Sequence, residues 1–69
     1  MNLEKFYGLL VHVETTDGFS FNGKVNDYIE PDDNDNGQES IIVDTSPDGK
    51  HPVELFESDI ERIEALTKE

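Results

Sequence analysis

The chain of 69 residues contains no cysteine. That excludes disulfide staples and any thiolate metal site. Positive charge is scarce: five lysines and arginines face seventeen acids, for a formal net charge of −12. Thirteen of those acids lie from Glu30 onward. Phosphate backbones attract basic proteins, so this balance disfavours broad nucleic-acid binding and leaves room only for a small neutral or basic patch. Long apolar runs are missing as well. No stretch approaches the ~20 residues that span a bilayer, and the start "MNLEKFYGLL" lacks the apolar run of a secretory signal. The expectation is a soluble, cytoplasmic protein with no membrane partner. Hydrophobic residues make up 33% of the chain, and a chain this short buries only about 60% of its unfolded surface. It reads as one domain over residues 1–69, with a marginal core of the kind that gains stability by oligomerising.

What is present is a succession of short alternating segments. "NLEKFYG" suits one short helix, with Asn2 as its cap, Leu3, Phe6 and Tyr7 on one face, and Gly8 as its end. Leu9, Val11 and Val13 then alternate with polar or outward residues, the period of a half-buried strand. Asp17-Gly18 supplies a hairpin turn. A long second strand follows, with Phe19, Phe21, Gly23, Val25, Asp27 and Ile29 on one face. Gly23 in its middle marks a place where a strand bends sharply. The loop from Glu30 to Glu39 leads into "SIIVDTS", an apolar, β-branched run that reads as a central strand. "SPDGK" is a tight turn with Pro47 and Gly49, and "HPVELF" is a fourth strand with Pro52 near its start. At the end, Ser58 and Glu61 form S-x-x-E, and Ile60, Ile63 and Leu66 recur at helical spacing. The rival reading is a turn at Ser58 to Ile60 and a strand from Arg62 to Leu66. The whole order decides for the strand: mainly β, a small five-stranded bent barrel with a short N-terminal helix.

Candidate chemistry is thin. In "PDDNDNGQES", residues Asp32, Asn34, Asn36 and Gly37 fall at D-x-N-x-N-G, which opens an EF-hand loop. Position twelve of such a loop needs an acidic ligand and here is Val43; position eight, normally apolar, is Glu39; the flanks read as strands. A non-standard calcium site would use Asp32, Asp33, Asp35 and Glu39. The plainer reading is a solvated loop whose Asx side chains bond its own backbone. His12 and His51 sit in no ligand motif and read as surface strand residues. Ser20, Ser40, Ser46 and Ser58 show no nucleophile motif. Abundant carboxylates without a cleft do not make an acid–base pair, so no enzymatic activity and no cofactor are expected. Phe6, Phe19, Phe21 and Phe56 are expected in the core or a subunit interface, with Tyr7 and Tyr28 on an exposed face.

Taken in order, "NLEKFYG", "VHVETTDGFSFNGKVNDY" and "VELFESDIERI" resemble an Sm-like (LSm) domain over nearly the whole chain. Asp17, Gly18, Gly23, Ile60 and Ile63 carry most of the match. The "EPDDNDNG" loop and "ESDIERIE" end resemble small acidic Sm-like proteins of bacteria and their phages. The resemblance implies a short helix over a five-stranded SH3-like barrel. It also implies homo-oligomeric rings in which the fourth strand (His51 to Phe56) pairs with the fifth (Arg62 to Leu66) of the next copy. Relatives that bind uridine-rich RNA use an Asp, an Asn and an Arg-Gly pair. These positions correspond here to Ile29, Ser40, and Phe56 with Glu57, so the base-reading amide and the cation are both replaced. The ligand-binding candidates are therefore Lys24, Tyr28, Ser40, Phe56 and Glu57, with Lys50 as a further cation near a pore. Two ligand classes are expected to compete: RNA, favoured by the resemblance and disfavoured by charge, and a basic protein partner, favoured by charge.

Overall fold

The computed structural model describes residues 2–45 and 50–66. The turn expected around Pro47 and Gly49 lies outside them. Five antiparallel strands form one sheet: β1 (Leu10–Thr15), β2 (Ser20–Ile29), β3 (Ser40–Asp44), β4 (Pro52–Phe56) and β5 (Ile60–Ala65). Their order is β4-β3-β2-β1-β5. The protein is mainly β, with no α-helix among the described residues.

The N-terminal segment folds as a single 3-10 turn, Glu4–Phe6. Leu3, not Asn2, occupies its capping position, and no side chain caps it. One turn is too short to present three residues to one side. Leu3 and Phe6 are buried, whereas Tyr7 is 58% exposed. Gly8 ends the turn with φ of +82°, and its N–H donates to the Val25 carbonyl at 2.9 Å. The turn thereby plugs one end of the sheet with two apolar side chains.

The hairpin between β1 and β2 forms where Asp17-Gly18 predicts it. Gly18 takes φ of +95°; its N–H reaches the Thr15 carbonyl, and the Thr15 N–H reaches the Phe19 carbonyl at 2.8 Å. Phe19 itself is 68% exposed, outside the core, which leaves the subunit-interface half of the expectation for it. At Gly23 the sheet closes tightly. A Cβ there would lie 2.5 Å from the Asp44 carbonyl oxygen and 2.7 Å from Val43 Cγ1, so only glycine fits.

Alternation along β2 breaks at one residue. Val25 pairs with Val43 and Asp27 with Ile42, leaving Asn26 as an extra residue between them. An unpaired residue in one strand exchanges the faces of everything beyond it. Hence Tyr28, not Asp27, packs against the core. β3 is buried on both faces except at Ile42, as a β-branched central strand should be. The ending is the turn and strand: a 3-10 turn at Glu57–Asp59, then β5. Ser58 does not cap a helix; the Asp59 carboxylate instead accepts the Phe56 N–H at 3.1 Å. The core comprises Leu3, Phe6, Val11, Val13, Val25, Ile41, Val43, Leu55 and Ile60, with Leu9, Phe21, Tyr28 and Ile63 packed on it. No helix among the described residues is long and apolar enough to cross a membrane.

Candidate functional site

The acidic connection between β2 and β3 is built from its own polar side chains. Pro31 opens a 3-10 turn, Pro31–Asp33, its fixed φ suiting the first helical position. The Asn34 amide donates to the Gln38 carbonyl at 2.8 Å and to Ser40 Oγ at 3.0 Å. Asn36 Oδ1 accepts the Gln38 N–H at 3.0 Å. Gly37 takes φ of +72° and lets the chain reverse. The two asparagines of D-x-N-x-N-G are thus engaged within the connection itself.

The four carboxylates considered for calcium do not converge. Asp32, Asp33 and Asp35 are exposed. Glu39 turns inward and is buried, and its Oε1 accepts both the Leu3 N–H and the Tyr28 hydroxyl at 3.0 Å. Among the described residues, no group of three or more His, Asp or Glu is placed to share a metal ion. The Tyr28 phenol is held above its usual range by burial, then by its bond to Glu39 and the charges of Glu39, Glu4 and Glu30.

The ligand-binding candidates divide in the same way. Ser40 and Phe56 face each other across the β3–β4 ladder. Ser40 is fully buried; its hydroxyl donates to Glu54 Oε2 at 3.1 Å while accepting from Asn34. The Glu57 N–H donates to the Glu39 carbonyl at 3.1 Å, tying the turn after β4 to the start of β3. Lys24 is elsewhere. It stands exposed on β2 opposite Leu10 and Asp44, before the bulge, and therefore on the other face from Tyr28. Lys50 is exposed at the approach to β4.

A groove of about 300 Å³ opens beside the acidic connection, lined by Asp33, Asn34, Asp35, Asn36, Glu54 and Phe56. Of these, Phe56, Asp33 with Asp35 (as metal ligands), and Asn34 with Asn36 (in the D-x-N-x-N-G spacing) stand out in the sequence. Glu54 carries no local signal; the pairing of β3 with β4 alone brings it to Ser40. Three carboxylates around a half-buried ring attract a cationic side chain and repel phosphate. A second cavity of about 350 Å³ lies between the first hairpin and the β4–β5 turn, lined by Thr15, Thr16, Asp17, Leu55 and Asp59. It too is bordered by carboxylates.

No family model, no curated protein and no solved structure matches the chain.

Proposed function

We propose that this chain is a small Sm-like barrel that assembles edge to edge into a homo-oligomeric ring and acts as a binding scaffold for a basic protein segment. The observation that carries the choice of ligand is the groove beside the β2–β3 connection, where Asp33, Asp35 and Glu54 surround Phe56. An Arg or Lys side chain meets both opposite charge and an aromatic face there. The excess of acids over bases in the whole chain adds long-range attraction for the same partner and speeds encounter.

Assembly is supported by the strand order. β4 and β5 are the two outer strands of the sheet, and exposed edges are ready templates for pairing with another chain. On β4, Val53 lies on the core-facing side with Leu55, yet is 37% exposed. The apolar face therefore runs on past the edge of one copy. RNA is the competing ligand. Its positions by resemblance are held by an aliphatic side chain (Ile29), a hydroxyl already bonded on both sides (Ser40), an aromatic ring (Phe56) and an acid (Glu57).

The test is binding of a fluorescent arginine-rich peptide, set beside uridine-rich and adenine-rich RNA at low salt. The peptide is expected to bind and to weaken as salt rises, with no RNA binding. Binding of RNA without binding of peptide overturns the choice of ligand.

A further inference from the structure

His12 lies in the middle of β1 with its side chain about a quarter exposed (27%). The register places Asn22 of β2 on one side of it and Glu64 of β5 on the other. Its Nδ1 is 2.6 Å from Asn22 Oδ1, and its Nε2 is 3.3 Å from Glu14 Oε2. Both partner atoms are acceptors. A neutral imidazole carries one N–H and satisfies one of them; an imidazolium carries two and satisfies both.

The charged groups around the ring favour the same form. Glu14 is on its own strand. Glu64 stands opposite on β5, where it is paired with Arg62 at 3.6 Å. Arg62 in turn lies across from Glu14. On β2 the nearest charge is Lys24, two residues from Asn22 and opposite Leu10. The Asn22 bond, the Glu14 bond and the charges of Glu14 and Glu64 together raise the affinity of the ring for its proton above the ordinary value, against a smaller opposing effect of burial.

We propose that His12 is a proton-operated clamp on the outer face of the sheet: as an imidazolium it ties Asn22 of β2 to Glu14 of β1 and faces Glu64 of β5, so that protonation holds the edge strand β5 more firmly. A histidine whose proton is bound more tightly in the folded state adds stability that is complete below its unfolded pKa, about 6.5. That stability is lost as pH rises through the folded value. β5 is also one of the two edges assigned to contact between copies. The consequence for assembly rests on that reading; the clamp within one copy does not.

The experiment follows the His12 ring by NMR titration and measures urea unfolding at about pH 6 and about pH 8, the span over which a histidine changes charge. Wild type, His12→Gln and Glu64→Gln are compared, and oligomeric state is read by light scattering at each pH. The His12 titration is expected above 6.5, with a wild-type urea midpoint that falls from the lower pH to the higher. His12→Gln is expected to lose most of that fall, and Glu64→Gln to keep part of it. Amide exchange in β5, taken relative to the base-catalysed rate of an unfolded chain at the same pH, is expected to show protection that falls at the higher pH in wild type, falls less in Glu64→Gln and least in His12→Gln. A titration at or below 6.5 overturns the clamp, since it would mean that Asn22 turns its NH2 toward the ring. A His12→Gln protein with the wild-type pH dependence overturns it as well. A pH-dependent midpoint with a pH-independent oligomeric state supports the clamp and counts against β5 as the assembly edge.

Discussion

Two residues show how far single positions can be read. Gly23 is legible as a bend because glycine is disfavoured in a strand interior without cause. The structure supplies the cause: beside Val43 Cγ1, the neighbouring obstacle is the backbone of Asp44, which no rotamer change can move. Gly23→Ala is therefore expected to destabilise the fold by about 1–3 kcal/mol, the usual cost of overpacking, seen as a lower urea midpoint. Glu39 is the opposite case. By composition it is one more acid in an acidic loop, indistinguishable from Asp32, Asp33 and Asp35. Folding brings it under Leu3 and Tyr28, and Leu3 is 36 positions away. Glu39→Ala leaves a buried N–H without that acceptor and is expected to cost about 1–3 kcal/mol. Glu39→Gln keeps an oxygen there and should lose less. Equal losses in the two variants would show that the hydrogen bonds to Leu3 and Tyr28 are not what anchors the N-terminal turn.

Strands were easier to read than the faces they present. The β-branched run at Ile41 to Val43 and the Asp17-Gly18 turn each identify their element from local chemistry. Pro52 places itself at the start of β4 for the same reason. The parity of β2 is a different matter. A period of two fixes faces only while each residue has one partner, and the bulge at Asn26 breaks that condition. So Lys24 and Tyr28, four apart and nominally on one face, end on opposite faces. At β4 the testable question is its outer edge. A lysine on an edge strand is a natural block to pairing with another chain. Val53→Lys is expected to leave the fold intact by circular dichroism while shifting light scattering toward a single copy. An unchanged oligomer would remove β4 from the contact.

At the scale of the whole molecule, charge and shape pull in different directions. A net charge of −12 on each copy opposes assembly, while the position of β4 and β5 as the outer strands of the sheet favours it. Salt screens exposed charges beyond roughly 8–10 Å at near-physiological strength, so the proposed ring is expected to strengthen with added salt, and the proposed peptide binding to weaken. Light scattering and peptide titration at low and high salt check both trends. A single copy at every salt concentration would refute the ring.

The sequence by itself determined the class of the fold, the order of its strands along the chain, the hairpin turn at Asp17-Gly18 and the sign of its electrostatic field. Those follow from local chemistry and from sums over residues. Only the tertiary structure decided that Glu39 faces inward while its acidic neighbours face out. It also turned Tyr28 toward the core, brought Glu54 to Ser40, and set both nitrogens of His12 against acceptors. The turn of Tyr28 depends on a one-residue bulge; the others depend on which distant segments are brought together. Register is settled by packing between segments far apart in the chain, where local pattern carries no information.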